Sequence, residues 1–415
     1  MTLLCIEFED SGEFPANRAE LYSRAIHTLL RKWDAKRRIV REQVYKKLSV
    51  QRKEDLLSKI GFTTFERGRY LFKQREIERY IADYIRNLPD AKTDPDALLL
   101  DSDEVLKSIE AQHGLLVERA RGIYSFSHLT FQEYFTAREI VAKSDIDLLV
   151  SKMTEKHWRE VFLLTAGMMR NADELVQQMK QKIDDLLAGY EKLQQFLIWL
   201  DEKARSVKSP KKLVIVRTFY LNLFYSLELD QRINSVFHPT IIDFPMFNGE
   251  SSQLVEKDIY SSNDMMSLDY WLTSALECVI VAVWNDTEAY FDEAVWCLSD
   301  ASRCNLSLEL QKALGKLSKA LPFSGDQDAF NKCNLFLNSE RYIWIKGLRN
   351  VMMQYCNFGH NWQFSKKQEQ LFQQYYEANK LLVNCLNSDC YISVETIARK
   401  PIPYCPEGVT SSRQR

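Results

Sequence analysis

The scarcity of glycine and proline constrains this chain more than any other feature of its sequence. It contains only 13 glycines and 10 prolines in 415 residues, roughly half of the usual globular share. Folds rich in strands need these residues at their many turns, whereas helix interiors exclude them. The sequence therefore predicts a mainly α fold, and its length allows two or three domains.

Composition and charge exclude several classes of protein. Hydrophobic residues make up 46% of the chain and charged residues 27%, which is ordinary globular usage and argues against wholesale disorder. The formal net charge of −2 provides no general attraction to nucleic acid or to anionic membranes. The most apolar stretch, 271–284, contains Glu277 and is shorter than the roughly 20 residues of a membrane helix. We therefore expect no membrane segment.

The distribution of acidic residues and cysteines predicts a cytoplasmic protein. Glu7, Glu9, Asp10 and Glu13 lie among the first residues, which argues against a signal or transit peptide. The nine cysteines are odd in number and dispersed, unlike those of a disulfide-stapled domain. Apolar residues begin directly after Met1, as at the end of a buried helix, and we expect a packing partner upstream.

Composition and periodicity divide the chain into six segments. We predict 1–47 as a helical segment, 48–143 as a winged-helix domain, 144–229 as a helical domain, 230–264 as a linker, 265–394 as a C-terminal helical domain and 395–415 as a tail. The two helical domains are expected to pack as antiparallel bundles or stacked helices.

The winged-helix prediction depends on the order of elements in segment 48–143. Apolar stripes mark helices at about 52–65 and 77–85, and Ser102 is the expected cap of a third helix that Gly114 ends. Two short apolar runs then form a hairpin, a single two-stranded wing at about 115–127. Three helices followed by a wing is the winged-helix order.

Two further features of this domain bear on its partners. The run Tyr70-Leu71-Phe72 is compatible with a short strand. In the predicted third helix, which reads DNA in many winged helices, charged residues are mostly acidic: Asp101, Asp103, Glu104 and Glu110, with Lys107. Since carboxylates repel a phosphate backbone, we expect a packing or regulatory module.

One stretch, 31–47, is strongly basic. It contains eight Lys and Arg residues against Asp34 and Glu42. Two interpretations stay open: a solvated helix face, or a patch that binds nucleic acid through its phosphates.

The motifs of common enzymes are absent from the sequence. There is no phosphate loop, no G-x-G-x-x-G, no H-E-x-x-H and no G-x-S-x-G. Cys385, Cys390 and Cys405, with Cys356 and His360, lack the paired C-x2-C spacing of zinc sites. We therefore predict no catalytic residues and no metal site.

His128 is the one candidate ligand-binding residue. It follows Ser127, the expected N-cap of a helix, where free backbone N–H groups and the helix dipole attract anions. A neutral imidazole at this place can donate one hydrogen bond to a phosphate oxygen. From the residues alone, a structural role for His128 remains open. Ser125→Ala, three residues earlier, is expected to change little.

The ten residues from Phe126 to Phe135, FSHLTFQEYF, resemble the segment that ends the winged helix of NACHT proteins. These are signal-transduction NTPases of the STAND class, which includes animal NLR immune receptors and bacterial defence proteins. Segments 2–5, 20–22 and 32–34 resemble the preceding helical lid. Segment 359–386 resembles a helical domain at the C-terminal end of bacterial NACHT proteins.

The resemblance implies a role for His128 and a partner for the chain. In the family, the winged-helix histidine contacts the β-phosphate of bound ADP and holds the protein closed. The phosphate loop and the magnesium ligands of the NACHT core do not occur in this sequence. The resemblance therefore implies the regulatory and sensor half of a NACHT protein, without catalysis of its own, possessing no cofactor itself and working with an upstream core that binds ADP or ATP with Mg²⁺.

The same resemblance implies signal transduction, with antiphage defence among its bacterial settings, and an unknown protein or ligand as trigger. Two other functions stay open: a helical scaffold that binds a protein partner, and a nucleic-acid binder that uses the basic stretch 31–47. Of these three functions, only that of a regulatory NACHT portion involves binding of ADP or ATP.

Overall fold

The protein is mainly helical in the part of the chain that its structure describes. The computed structural model describes residues 17–36, 48–88, 95–207, 213–228, 265–285, 289–304, 306–323, 328–360, 362–388, 390–393 and 396. Two compact units are present, 1–182 with 381–400, and 183–380 with 401–415. The predicted apolar start at 2–8 and the linker 230–264 lie outside the described residues.

The first unit contains helices and one small antiparallel sheet. Its helices are α1 (Arg18–Lys36), α2 (Val50–Glu66), α3 (Gln74–Arg86), α4 (Pro95–His113), α5 (Leu129–Lys143), α6 (Ile146–Ser151), α7 (Arg159–Met168) and part of α8 (Asp173–Leu187). Its strands are β1 (Phe72–Lys73), β2 (Leu116–Ala120) and β3 (Ile123–Phe126). Strand β3 lies between β1 and β2 and is antiparallel to both.

The predicted wing is confirmed as the hairpin β2–β3. A third strand joins it, because Phe72 pairs with Tyr124 at the end of the run that the sequence marked as a possible strand. The expectation of a single two-stranded wing was therefore wrong by one short strand. Gly122 adopts a φ of +69° in the hairpin turn, a conformation that side chains with a Cβ disfavour.

Helix caps in this unit show which local signals decide the boundaries. The Asn17 side chain accepts a hydrogen bond from the Glu20 amide at 2.8 Å, and the Ser49 hydroxyl accepts one from the Arg52 amide at 3.2 Å. The prediction of Ser102 as a cap was wrong: α4 begins at Pro95, and Ser102 is buried inside the helix. Proline has no amide hydrogen and a preset φ, so it suits a first helical turn.

A close helix contact organises the core of the first unit. Helix α2 packs against α5, and a Cβ added to Gly61 would lie only 2.9 Å from the Cβ of Phe135. Phe65 of the same helix lies edge-on to Trp158, with ring centroids 5.0 Å apart, and both side chains are fully buried. The absence of a side chain at Gly61 therefore sets the distance between the two helices.

The second unit is helical throughout its described residues. Its helices are α9 (Glu191–Ser206), α10 (Leu213–Glu228), α11 (Met265–Asn285), α12 (Ala289–Ala301), α13 (Leu308–Ala320), α14 (Ala329–Leu335), α15 (Arg341–Val351) and part of α16 (Lys366–Leu386), with π-helical turns at Phe336–Glu340 and Met352–Cys356. The predicted domain boundaries at 143/144 and 264/265 do not coincide with those of the compact units.

An aromatic cluster forms one core of the second unit. Phe196 on α9 lies 4.3 Å from Phe224 and 5.1 Å from Phe372, measured between ring centroids. Trp362 and Phe364 pack on the same ring, at 5.5 and 6.1 Å. The segment just before α16, which contains Trp362 and Phe364, therefore packs its aromatic side chains against α9.

Helix α11 is the most apolar helix described. Its window Met265–Ala282 is long and apolar enough to cross a membrane, and 83% of that window is buried inside the protein. Helix α11 is longer than segment 271–284, so its length does not argue against a membrane span. Its apolar composition is explained by burial against other helices, since a core helix can be apolar on all sides.

The C-terminal segment packs back on helix α8 within the first unit. The Asp173 carboxylate accepts a hydrogen bond from the Ser393 amide at 2.8 Å, and Lys180 donates one to the Thr396 carbonyl at 2.6 Å. Thr396 belongs to the predicted tail but is buried. The rest of that tail lies outside the described residues.

Candidate functional site

His128 lies at the junction between strand β3 and helix α5. It is the N-cap of α5, with an extended backbone (φ −132°, ψ 144°) and no side-chain cap hydrogen bond. The expectation that Ser127 caps this helix was wrong. The Ser127 amide instead donates to the Leu115 carbonyl at 2.9 Å, which continues the hairpin by one residue and moves the start of the helix forward.

The imidazole of His128 is available for a ligand. The residue is exposed, and its ring contacts Phe131 edge-on at 5.9 Å. Among the described residues, no hydrogen bond reaches either ring nitrogen. The Phe131 amide donates to the His128 carbonyl at 3.1 Å, whereas the amides of Leu129 and Thr130 have no acceptor within the helix, as at any helix start. A ring N–H beside these amides can bind an anion.

Arg119 places a positive charge next to this histidine. Its Nη2 donates to the Ser127 carbonyl at 2.8 Å, and its Nε donates to the Ser125 hydroxyl at 2.9 Å. Arg119 has no Cα partner in the β2–β3 ladder, because the register shifts between Glu118 and Ala120. This β-bulge leaves the guanidinium free to fold over β3.

Arg119 is the residue of this site that sequence reasoning missed. A bulge depends on pairing between two strands, and the sequence carried no local signal for it beyond a longer turn. The buried Ser125 hydroxyl accepts this hydrogen bond from Arg119, a contact that the expectation for Ser125→Ala did not include. The small effect expected of that substitution stays a prediction.

The residues that follow His128 in the resembling segment fix helix α5 in place. The buried Gln132 amide donates to the Thr64 hydroxyl and to the Arg69 carbonyl, both at 2.9 Å. These bonds tie α5 to α2 and to the loop that follows it. The segment therefore combines an exposed histidine with a rigid support.

Glu133, next to Gln132, is a buried carboxyl group. Burial and the nearby negative charge of Glu160 raise its pKa to about 7. Arg18 binds the Glu160 carboxylate at 3.1 Å, but among the described residues no cation forms an ion pair with Glu133 itself. Its ionisation is therefore costly at neutral pH.

The acidic residues of α4 make contacts within the winged helix. Asp103 binds Lys107 at 2.6 Å. Glu110 accepts hydrogen bonds from the Glu118 amide at 3.1 Å and from the Tyr124 hydroxyl at 3.2 Å. These contacts attach the helix to the wing, which supports the prediction of a packing module rather than a DNA reader.

A buried ion pair joins helices α9 and α11 in the second unit and had no sequence signal. Lys203 Nζ lies 2.7 Å from Asp269 Oδ2, and the two side chains are 2% and 0% exposed. The same oxygen accepts a hydrogen bond from the Tyr220 hydroxyl at 2.6 Å, and Lys203 also donates to the Cys356 carbonyl at 2.5 Å. Burial raises the pKa of Asp269, opposed by Lys203. Such a network specifies how helices pack.

The structure does not assemble the cysteines into a metal centre within the residues that it describes. No group of three or more His, Cys, Asp or Glu side chains there is arranged to hold a metal ion. Cys385 and Cys390 belong to the first unit, whereas Cys356 and His360 belong to the second. Cys405 and residues 37–47 of the basic stretch lie outside the described part.

Two family models match the chain. The winged helix-turn-helix domain C-terminal to NACHT matches residues 18–140, and NACHT C-terminal helical domain 2 matches residues 310–399. The first match includes α1, which we predicted to belong to the lid. No curated protein and no solved structure matches the chain.

Both matched domains are accessory regions that lie C-terminal to a NACHT domain. The chain belongs to the NACHT proteins, of which it is a C-terminal portion. Both matches describe regions that follow the NACHT domain, and neither is the NTPase core itself.

Proposed function

We propose that this chain is the regulatory and sensor portion of a NACHT-type STAND NTPase that acts in signal transduction. In this proposal its winged helix stabilises the ADP-bound inactive state, through a hydrogen bond from His128 to the β-phosphate. Antiphage defence is the biological setting that the resemblance to bacterial defence proteins favours.

The observation that carries the proposal is the geometry of His128. The imidazole is exposed at a helix N-terminus, and Arg119 binds the carbonyl directly before it. Backbone amides, a ring N–H and a guanidinium together suit a diphosphate. The rigid attachment of α5 through Gln132 would keep this group in position.

The chain supplies only part of a nucleotide site in this proposal. An upstream NACHT core, in cis or in trans, would provide the phosphate loop and the ligands of Mg²⁺. His128 and Arg119 would hold phosphate oxygens and position the winged helix against that core. The chain itself is proposed to catalyse no reaction.

Nucleotide release tests the proposal directly. One hydrogen bond to a charged group contributes about 1.5–3 kcal/mol, so His128→Ala in a protein joined to its core should release ADP about 10- to 100-fold faster and signal without a trigger. Leu129→Ala truncates an adjacent side chain that is 49% exposed and is the matched control. Equal ADP release from both variants and the unchanged protein would leave His128 with a structural role only.

The isolated chain provides a second arm of this test. With one or two contacts to phosphate and no core, we expect ADP binding no tighter than about millimolar. Calorimetry with ADP measures it. Tight binding by the isolated chain would mean that the nucleotide site lies elsewhere.

A protein-binding scaffold is the second candidate, supported by an exposed apolar surface in the second unit. Phe330, Leu335, Tyr342 and Ile343 are 56–74% exposed and follow closely in sequence within the match to helical domain 2. Exposed apolar patches mark protein interaction sites. Tyr342→Ser with Ile343→Ser should abolish partner capture in this case, while ADP release remains unchanged.

A further inference from the structure

A second feature of the winged-helix domain is a strongly basic cleft that shares no lining residue with the His128 site. It has a volume of about 530 Å³ and is lined by Arg67, Arg69, Lys73, Arg75, Glu76, Arg79 and Tyr80. Five cationic side chains thus face one carboxylate. The sequence did not single out this cluster, because glutamates at 66, 76 and 78 hide it in the local charge balance.

The cations of the cleft fall into two groups. Arg69 binds the Glu76 carboxylate at 2.5 Å, and Arg67 donates to the Tyr80 hydroxyl at 3.1 Å. These bonds orient two guanidinium groups and neutralise Glu76. Lys73, Arg75 and Arg79 are exposed, and their side chains make no ion pair or hydrogen bond with the described residues. The charge of these three side chains is therefore available to a ligand.

The backbone adds to the positive potential of the cleft. Lys73 is the N-cap of α3 and makes no side-chain cap hydrogen bond. The Gln74 amide donates to the Gly122 carbonyl at 2.9 Å. The next amides of the first turn, those of Arg75 and Glu76, have no acceptor within the helix. Arg75 and Arg79, one helical turn apart, share a face of α3. A helix N-terminus and a row of arginines both favour phosphate groups.

The shape and lining of the cleft select among anionic ligands. Sites for small molecules enclose most of their ligand, whereas the five cations here are all exposed. The centre of a protein–protein interface is depleted of charge, whereas this cleft is charged throughout. Tyr70, 42% exposed, follows Arg69 in the chain and has an aromatic ring on which a base can stack.

We propose that this cleft binds the phosphate backbone of a nucleic acid, with Lys73, Arg75 and Arg79 as the principal contacts. The interaction is independent of base sequence, because charged side chains on phosphates position a strand without reading it. It would give the NACHT portion a polyanionic ligand of its own, recognised at a surface other than the ADP site.

Fluorescence anisotropy with the full chain tests this site. The probes are a labelled single-stranded oligonucleotide and the corresponding duplex, each titrated at several KCl concentrations. Arg75→Glu with Arg79→Glu should weaken binding at least tenfold and reduce the salt dependence by about two phosphate contacts. Lys156→Glu with Arg170→Glu makes the same change of charge at exposed residues of the first unit and should alter affinity less than twofold.

Three further measurements decide the outcome. Circular dichroism and thermal melting establish that both double variants fold. Arg37→Glu with Arg38→Glu tests the basic stretch 31–47, and a loss of binding in this variant alone would overturn the proposal. Absence of binding by the unchanged protein, equal losses in the cleft and control variants, or complete competition by equimolar ADP would overturn it as well.

Discussion

The carboxyl group of Glu133 gives the sharpest prediction about stability. Its pKa is about 7 in the folded protein, against 4.5 for the free side chain. Above pH 7 the folded protein has to ionise a buried group beside Glu160, whereas the unfolded chain ionises it at little cost. This contribution to stability is therefore favourable at low pH and is lost as the pH rises from 4.5 through 7.

The magnitude follows from the difference between the two pKa values. The two pKa values differ by about 2.5, and a difference of one corresponds to roughly 1.4 kcal/mol. The effect of Glu133 on the free energy of unfolding is therefore at most about 3.4 kcal/mol above pH 8. Since the side chain is 7% exposed, small movements towards water will relieve part of the cost. We expect Glu133→Gln to stabilise the first unit by about 2 kcal/mol at pH 8.5 and by about 0.5 kcal/mol at pH 5.

Native-state hydrogen exchange of helix α5 measures this effect, because it reports the local free energy of opening. Glu139→Gln is the matched control on the same helix: Glu139 pairs with Lys143 at 3.1 Å, and its loss should cost about 0.3–0.5 kcal/mol. An equal effect of Glu133→Gln at both pH values would refute the reasoning. A destabilising effect at pH 8.5 would show that the carboxylate has a favourable partner.

Two more substitutions test the packing of the two units. Lys203→Met should destabilise the second unit by about 3–5 kcal/mol, since it leaves the Asp269 carboxylate buried without its cation; adding Asp269→Asn should recover most of that loss in urea denaturation. Gly61→Ala should cost the first unit about 1–3 kcal/mol, because the new Cβ would meet that of Phe135 at 2.9 Å. An unchanged melting temperature of the Gly61→Ala variant would contradict the close contact of α2 and α5.

Much of the fold follows from local signals in the sequence. Apolar stripes located helices such as α2 and α3, since periodicity depends only on which face is buried. Errors arose where two local signals competed. Helix α4 begins at Pro95 and not at Ser102. A hydrogen bond from the Ser127 amide to the Leu115 carbonyl extends the hairpin past Ser127, the expected cap of α5.

Contacts between distant residues could not be predicted from the sequence. Lys203 and Asp269 lie on different helices, and each looks like an ordinary charged residue in its own periodicity. In the sequence, Arg119 looks like part of a polar turn, because its contacts depend on the register of the hairpin. His128 was found because its signal, a histidine before an apolar helix, is local. Its proposed contact with ADP stays a prediction.

The β-bulge at Arg119 limits how this hairpin can vary among related proteins. Surface turns ordinarily tolerate insertions and deletions. Here one residue more or less between Glu118 and Ile123 would remove the bulge or change its register, and the guanidinium would point to the opposite face of the sheet. We therefore expect the length of this turn to be fixed in relatives that keep the histidine, even where the identity of its exposed residues changes.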